Sequence, residues 1–484
     1  MHIVIKGDKD LAGQLYQQMK DAIQAGRLAA GSRIPPSRLL AEQLGISRKT
    51  VSTVYARLTD ERLLTGQVGV GTFVSAQAPP RPRSLGKSAL AGAAVVKRWN
   101  DIATPLRHPA AAGRSRYEYI GGSSTKSQFP VDEWRRCVLF ALRQDAELRG
   151  LYQQAEGIAM LRDAISRHIG YARGVKCSAS DIIVTNGAQQ ALDLIARVLV
   201  EPGCVVAVEE PGYPPARLLF ASQGAHVCGV PVDSEGIVVD QIPGDARLIY
   251  VTPSHQFPLG MAMSLPRRQA LLDRAREIGA IIIEDDYDSE FRYEGRPTDS
   301  LQGMDQENIV AYVGTFSKVL LPELRLGYVV APAEILNAMA VAKHLTDWHT
   351  ASMTQYAIAK FIDDGYLAKH IRQCHAMYAR RRDKILARFH TDLAEWFEVI
   401  PSVAGFHLAV ICKKQLDVAL LIRLARRVDV GLYPLDGFYH FSEPRQGLVL
   451  GFGSIEALDI DFSLDPGAGH IAADGCLKEI AAAF

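Results

Sequence analysis

The sequence predicts a multidomain protein: a small winged helix-turn-helix domain, mostly α with a β wing, followed by a large α/β domain and a small C-terminal α/β lobe. Three observations predict this fold class. Short amphipathic helices joined by turn residues precede residue 77, and a Gly-rich alternating stretch closes them. A Pro-, Ala- and Gly-rich stretch then runs to about residue 115. Beyond it, short apolar runs alternate with helical patterns, which is typical of a mostly parallel sheet covered on both faces.

These patterns divide the 484 residues into four parts. Residues 1–76 are the predicted winged helix domain, 77–115 a linker, 116–335 a large domain, and 336–484 connecting helices with a small subdomain. Residues 1–75 hold ten Lys and Arg against six Asp and Glu, whereas the rest of the chain holds 44 against 47. A basic small domain on a slightly acidic body is consistent with one nucleic-acid-binding module.

The composition is that of a globular protein, with 48% hydrophobic and 22% charged residues. Charged residues interrupt the longest apolar runs, so no membrane span is predicted. The first residues lack the apolar core of a signal peptide. Seven cysteines are dispersed without metal-ligand spacing, which predicts reduced thiols and no metal site. We therefore expect a cytoplasmic protein.

Two short helices joined by a glycine-containing turn are predicted within residues 37–58. Ser37 is the N-cap candidate of the first helix, and Gly45 ends it. Ser47 is the N-cap candidate of the second helix, which opens with Arg48. The N-terminal end of such a second helix reaches base edges in the major groove, so this segment predicts double-stranded DNA as a partner.

Candidate DNA contacts lie on both helices and on the wing. Arg48 suits a guanine or a phosphate, while Ser47 and Thr50 suit phosphates. Arg38 stands at a helix start, where free N–H groups add to its charge. The full predicted set is Ser37, Arg38, Ser47, Arg48, Thr50, Val51, Tyr55, Gly71 and Thr72. The alternative is a small helical domain whose charges are simply solvated.

In the large domain, a lysine and an arginine follow one strand-like run and carboxylates follow another. The run 309–313 leads to Lys318 and, seven residues later, to Arg325. An upstream apolar run leads to Asp285 and Tyr287. Pyridoxal 5′-phosphate (PLP) needs an amine for its aldehyde, a cation for its phosphate and a carboxylate for its ring nitrogen. The pattern predicts a PLP site, whereas Lys318 alone would be a solvated loop lysine.

Both halves of the chain resemble known families. The segments GSRIPPSR (31–38), LAEQLGISR (40–48) and GVGTFV (69–74) resemble the GntR family of bacterial regulators. That family usually carries a glycine where this chain has DERLL (60–64). The large domain resembles the fold type I aminotransferases. Together the halves resemble the MocR/GabR subgroup, in which a GntR-type domain is fused to an aminotransferase-like domain.

This resemblance implies roles at the ring of the cofactor. Lys318 would form the internal aldimine, and it is the single residue predicted to have a catalytic role. Asp285, rather than Asp286, would pair with the pyridinium nitrogen, because Asp-x-Tyr is the family spacing. Tyr287 would bond the phenolate oxygen, and Tyr213 would stack on the ring. The alternative for Tyr213 is a tyrosine packed in a proline-rich turn.

Further roles follow from the same resemblance. Phe257 stands where aminotransferases carry an asparagine that contacts the ring oxygen, so His255 either takes that contact or is a satisfied core histidine. Tyr152 would reach the phosphate of the neighbouring subunit in a homodimer. The phosphate would be bound by Arg325, Thr315, Ser317, Gly187, Ala188 and Gln189.

The substrate side of the site departs from that family. Aminotransferases hold the substrate carboxylate with an arginine near the C-terminus, because a guanidinium matches a carboxylate. Residues 431–439 and 448–452 contain no arginine. Arg217 is the candidate for binding an effector anion, and Arg445 is a weaker one. Both are alternatively solvated surface arginines.

These observations favour a PLP-dependent, DNA-binding transcriptional regulator. An amine or amino-acid effector would displace Lys318 and form an external aldimine, and efficient transamination is not expected. The resemblance implies a domain-swapped homodimer. The alternative is an active aminotransferase that carries a DNA-binding domain, and a third reading is a DNA-binding module on a cofactor-free body.

Overall fold

The structure is a computed structural model that describes residues 10–67, 70–75, 115–122, 124, 128–147, 150–295 and 299–464, with positions 3, 5, 7, 99 and 102. The chain folds as two compact units, Met1–Ala94 and Val95–Phe484. Nearly all of the predicted linker 77–115 lies outside the described residues, as does Gly69 of the wing. The four-part division of the chain therefore stays a prediction.

The N-terminal unit is the predicted winged helix-turn-helix. Its helices are α1 (Leu11–Gln24), α2 (Ser37–Leu44) and α3 (Arg48–Asp60), and its strands β1 (Leu64–Gln67) and β2 (Gly71–Val74) pair antiparallel as the wing. Apolar side chains from all three helices meet in one core, in which Leu15, Met19, Val51 and Leu58 are fully buried. Burial of this shared stripe holds three short helices that would be marginal alone.

Local capping explains where α3 begins and α2 ends. The side chain of Ser47 accepts a hydrogen bond of 3.0 Å from the amide of Thr50, as predicted for an N-cap. Gly45 closes α2 with φ of 65°. The N-cap prediction for Ser37 is wrong, because Ser37 is already helical. Pro36 holds the cap position, and its carbonyl accepts the first helical bond from the amide of Leu40.

The larger unit contains two main sheets. In chain order its strands are β3 (Tyr117–Glu118), β4 (Ile182–Thr185), β5 (Val205–Glu210), β6 (His226–Asp233), β7 (Gly236–Ile237), β8 (Ala246–Val251), β9 (Ile281–Asp286), β10 (Val310–Thr315), β11 (Gly327–Val330), β12 (Phe397–Val399), β13 (His407–Cys412), β14 (Val430–Gly431), β15 (Tyr433–Pro434) and β16 (Gly447–Gly451). The eight-stranded sheet has the order β4-β11-β10-β9-β8-β5-β6-β7. Its central pairs from β10 to β6 are parallel, while β11 and β7 run antiparallel to their neighbours.

Helices cover both faces of this sheet. The described helices of the larger unit, those on this sheet together with those of the small lobe, are in chain order α4 (Val131–Glu147), α5 (Ala159–Arg173), α6 (Ala188–Leu199), α7 (Pro214–Ser222), α8 (Leu265–Ile278), α9 (Leu301–Met304), α10 (Ala333–Asp347), α11 (Ser352–Asp363), α12 (Tyr366–His390), α13 (Val418–Arg427) and α14 (Ala457–Ser463). Neighbouring residues of β9 enter different cores, since Ile282 packs under α8 and Ile283 packs under α6. This alternation is the reason that the central strands are apolar along their whole length.

The small lobe has a four-stranded antiparallel sheet in the order β12-β13-β16-β15. Tyr117 and Glu118 of β3 pair with Val430 and Gly431 of β14, at the edge of this lobe. Sequence analysis assigned residues 117 and 118 to the large domain, and this pairing between distant parts of the chain was not foreseen. Among the described residues, no helix is long and apolar enough to cross a membrane.

Candidate cofactor and DNA-binding sites

A cavity of about 350 Å³ opens where the parallel strands of the large sheet end. The carboxyl ends of parallel strands are the usual place for a ligand in an open α/β sheet. The cavity is lined by Gly121, Gly122, Ala188, Gln189, Leu192, Tyr213, Pro214, Pro215, Tyr250, Thr252, Phe257, Asp285, Tyr287, Thr315, Ser317, Lys318, Arg325, His407 and Phe438. Most of the residues predicted from the sequence thus meet in one place.

Lys318 follows β10 and projects into this cavity. Its Nζ donates a hydrogen bond of 2.7 Å to the carbonyl oxygen of Gly122. Burial lowers the pKa of Lys318, against the opposing charges of Asp288 and Asp285. A lysine with a lowered pKa has more neutral amine at physiological pH, which is the form that attacks a carbonyl.

Asp285 and Asp286 end β9 and point to opposite sides of it. Asp285 lines the cavity, where its Oδ2 accepts a hydrogen bond of 2.7 Å from Tyr250 and its buried Oδ1 has no partner. Burial raises the pKa of Asp285 to about 6. Asp286 instead forms a buried ion pair of 2.7 Å with Arg173 and accepts a hydrogen bond from Tyr312. The sequence preference for Asp285 therefore agrees with the side that faces the cavity.

Another part of the cavity is built for an anion. Gly187, with φ of 81°, precedes α6, whose first residues Ala188 and Gln189 line the cavity. A Cβ at Gly187 would lie 2.9 Å from Nη2 of Arg325, so this close approach needs glycine. The hydroxyl of Ser317 is buried with no hydrogen-bond partner. A helix start, a guanidinium and an unpaired hydroxyl together suit a phosphate.

Three buried polar atoms on residues that line this cavity thus lack partners: the carboxylate Oδ1 of Asp285, the hydroxyl of Ser317 and Nε2 of His407. Buried polar groups are normally hydrogen-bonded, so each unpaired one asks for a ligand atom. A protonated ring nitrogen would satisfy the first and a phosphate oxygen the second. The residues present therefore fit PLP, with Lys318 available for its aldehyde.

Aromatic side chains form the remaining wall. Tyr213 meets Phe257 edge to face at 5.4 Å, and Phe257 meets Phe438 in the same way at 5.2 Å. Tyr287 also lines the cavity, and its hydroxyl donates a hydrogen bond of 2.8 Å to the backbone oxygen of His255. This wall is suited to stacking against a flat ring.

In the N-terminal unit, the predicted DNA contacts separate into two groups. Arg38, Ser47 and Arg48 are exposed at the starts of α2 and α3, while Ser37, Thr50, Gly71 and Thr72 are partly exposed. Val51 is fully buried, and Tyr55 is nearly so, with its hydroxyl donating a hydrogen bond of 2.8 Å to the carbonyl of Pro35. The predicted DNA contact is therefore wrong for the side chains of Val51 and Tyr55, because they pack in the domain core.

Comparisons with known proteins identify both domains. The family model "Bacterial regulatory proteins, gntR family" matches residues 11–74, and "Aminotransferase class I and II" matches residues 120–445. The chain is 35% identical to the probable rhizopine catabolism regulatory protein MocR of Rhizobium meliloti, over 94% of this chain and 92% of that protein. The chain belongs to the MocR-type GntR-family regulators.

Other similar proteins include both a transcriptional regulator and an aminotransferase. The HTH-type transcriptional regulator TauR of Rhodobacter capsulatus is 35% identical over 78% of this chain and 79% of its own. Pyrococcus horikoshii kynurenine aminotransferase, solved with PMP, matches with a TM-score of 0.69 and 28% identity over 80% of this chain and 96% of its own. The protein is a MocR-type transcriptional regulator with a DNA-binding domain and an aminotransferase-like domain.

Four predicted site residues of this MocR-type regulator do not line the cavity: Gly187, His255, Tyr152 and Arg217. His255 is buried behind Tyr287, with Nδ1 2.9 Å from Asp288, and burial lowers its pKa to about 3. It is thus a satisfied core histidine, and the predicted contact with the cofactor ring oxygen has no support. Tyr152 is 74% exposed and packs on Trp348 at 4.5 Å.

Arg217 lines a smaller, adjoining pocket with Glu210 and His440, and this pocket shares Tyr213, Pro214 and Phe438 with the main cavity. One oxygen of Glu210 accepts hydrogen bonds from the backbone amides of His440 and Phe441, at 2.7 and 2.8 Å. Burial lowers the pKa of Arg217, and the charge of Glu210 opposes this. Arg217 is therefore placed against an internal carboxylate rather than on the wall of the main cavity.

Sequence reasoning missed several cavity residues of this regulator. Tyr250 is the hydrogen-bond partner of Asp285, and its polar hydroxyl within the apolar run of β8 was a usable signal. Gly122, His407 and Phe438 carry no such signal, because only the packing of distant segments brings them to the cavity.

Proposed function

We propose that this MocR-type regulator holds PLP on Lys318 and uses it to sense an amine or amino acid. The observation that carries this proposal is the pair of unpartnered atoms, Asp285 Oδ1 and Ser317 Oγ, in the same cavity as Lys318. When bound, PLP supplies an electrophilic aldehyde carbon and an electron-withdrawing ring. The chain supplies the positions and charges around it.

The placement of the side chains around the cavity supports a proposed role for each. Asp285 holds a proton on the ring nitrogen, with Tyr250 fixing the orientation of its carboxylate. Tyr287 bonds the ring oxygen, and Tyr213 covers the ring face. The phosphate is bound by Arg325, Thr315, Ser317 and the N–H groups of Ala188 and Gln189. Lys318 provides the amine that an incoming ligand replaces.

Sensing requires that the ligand bind two arrangements of the protein with different free energies. Occupation of the cavity would favour one arrangement, and the winged helix would then bind DNA with altered affinity. An exposed apolar surface beside Tyr152 supports a homodimer, since Leu345 is 80% and Val341 62% exposed on α10. The resemblance to the MocR/GabR subgroup implies that this dimer would be domain-swapped.

The alternative is an active aminotransferase with a DNA-binding domain. The similarity to solved aminotransferases supports it, as does a buried lysine able to carry protons. Turnover also needs a held substrate carboxylate and release of a keto acid. Steady formation of a keto acid from an amino acid, with PLP regenerated, would favour this alternative.

In the first experiment, PLP is added to the full chain, unbound PLP, which is itself coloured, is removed by desalting, and the absorption spectrum of the protein is recorded. We expect a visible band in the wild type that is absent in Lys318→Ala and retained in Lys369→Ala, a control at an exposed lysine. Fluorescence anisotropy with a labelled DNA fragment then measures DNA affinity with and without an amine. A wild type that stays colourless with PLP would sink the proposal.

A further inference from the structure

The charges around the cavity limit what can bind beside the cofactor. Among the described residues that line it, the cationic side chains are Lys318 and Arg325. The proposed function commits Lys318 to the aldehyde and Arg325 to the phosphate. His407 also lines the cavity, but burial lowers its pKa to about 3, so its ring is neutral at physiological pH. Among the described residues that line the cavity, a ligand carboxylate would therefore find no cation that is not already committed to the cofactor.

Strand β16 lies where an aminotransferase would be expected to carry an arginine, and it presents an apolar side chain instead. Val449 of β16 is 2% exposed and packs with Leu259 and Ala409. A Cβ placed on Gly121, which lines the cavity, would lie 3.7 Å from Cγ1 of Val449. Val449 therefore closes the cavity from behind Gly121 with methyl groups rather than with a guanidinium.

The other free wall is aromatic. Phe257 and Phe438 lie 5.2 Å apart, and Phe257 also lies 5.5 Å from the ring of His407. Arg217 does not line this cavity but the adjoining pocket, which also contains the carboxylate of Glu210. An apolar body placed against these rings would be removed from water, which is favourable. A carboxylate placed there would lose its hydration without an ionic partner.

We propose that the ligand sensed beside PLP is a primary amine with an apolar body and no acidic group, rather than an amino acid. This inference rests on the proposed function, because it assigns the chemistry of the ligand that replaces Lys318. It also accounts for the departure of residues 448–452 from the arginine expected of an aminotransferase. The cavity would select the amine because it offers a ligand carboxylate no cationic partner, so a ligand that bears an acid binds less well.

The test compares ligands that differ only in the carboxylate. Phenethylamine and L-phenylalanine form one pair, and butylamine and L-norvaline form a smaller pair. Each is titrated into the PLP-loaded full chain, with the change in the visible band and the calorimetric heat as readouts. In at least one pair, we expect the amine to reach half-saturation at a concentration at least about ten-fold lower than the acid. Equal or tighter binding of the acids, or no binding by either amine, overturns the inference.

A variant tests the cause of this preference. Val449→Arg should improve binding of the amino acid relative to the amine, whereas Val449→Met, an apolar change, should leave the order unchanged. Thermal melting checks that each variant is folded. If Val449→Arg does not fold, the comparison of amine and acid binding by the wild-type protein decides the inference. Loss of the proposed function is distinguishable, because the PLP band would then be missing before any ligand is added. If the wild-type protein shows a normal PLP band but binds the acid as tightly as the amine or more tightly, this inference alone is contradicted.

Discussion

The hydroxyl of Tyr250 donates a hydrogen bond of 2.7 Å to Oδ2 of Asp285, and the other oxygen of the same carboxylate is buried without a partner. Half of this carboxylate is therefore oriented by the protein, and half is left for a ligand. The burial that leaves it incomplete raises its pKa to about 6. A carboxylate held in this way destabilises the cofactor-free protein, and binding of the cofactor removes that cost by supplying the missing hydrogen-bond partner.

Asp285→Asn should stabilise the cofactor-free protein at pH 8 by roughly 1–3 kcal/mol. Because the folded pKa of about 6 lies above the ordinary value of 3.8, the ionised form costs stability above pH 6. That cost disappears as the pH falls through 6 towards 4, so the advantage of the variant should disappear too. Denaturant unfolding at pH 8 and pH 4 measures this, and the same variant should bind PLP more weakly. A variant less stable than wild type at pH 8 contradicts the prediction.

Arg173→Met should destabilise the protein by about 3–5 kcal/mol, because it leaves Asp286 charged, buried and without its cation. The charge of Arg173 holds the pKa of Asp286 below its usual range despite burial, which raises it. Urea unfolding of the cofactor-free chain measures the loss. Arg167→Met, at an exposed ion pair with Asp363, is the control and should cost less than about 1 kcal/mol.

Capture of PLP by Lys318 should be fast at a pH where ordinary lysines are protonated. Burial lowers the pKa of Lys318, so its neutral amine becomes populated below the usual 10.5. We expect the rate at which the visible band forms to rise with pH and to level off below pH 10.5. Stopped-flow absorbance across pH 6 to 10 measures the profile. A rate that is still rising ten-fold per pH unit near 10 would contradict the lowered pKa.

Gly187→Ala should reduce PLP affinity as well as stability. The new methyl would meet Arg325 at 2.9 Å, and φ of 81° strains any residue other than glycine. Gly203→Ala is the matched control, because Gly203 has φ of 89° but open space around its Cβ position. Both variants should lose stability, and only Gly187→Ala should release PLP more readily on dilution. Equal PLP retention by the two would mean that Arg325 does not need this close approach.

Arg48→Ala should weaken DNA binding without a loss of folding stability, whereas Ser47→Ala should lose stability. Ser47 caps α3, so its loss should cost about 1 kcal/mol of stability in the N-terminal unit. Arg48 is exposed, so its loss should leave stability within about 0.5 kcal/mol. It should still weaken DNA binding by about 1–3 kcal/mol, as measured by anisotropy at one fixed salt concentration. Unchanged DNA affinity in Arg48→Ala would remove it from the interface.

Local patterns carried most of the sequence predictions that the structure matches. The order of caps, turn glycine and wing predicted the small domain, because these signals act within a few residues of each other. The alternation of β9 set Asp285 and Asp286 on opposite faces for the same reason. The spacing of Val51, Tyr55 and Leu58 already indicates a buried helix face, and the DNA contacts predicted for Val51 and Tyr55 failed because that face packs in the domain core.

The sequence by itself determined the two domain types, the family and the reactive groups, since these depend on residue identity and short-range spacing. Only the tertiary structure decided which of those groups lack partners, because burial depends on contacts between distant segments. The pairing of residues 117–118 with 430–431, the carboxylate beside Arg217 and the place of Val449 behind Gly121 are all of this kind. The charge balance of the cavity, and hence the ligand it can accept, is a property of those long-range contacts.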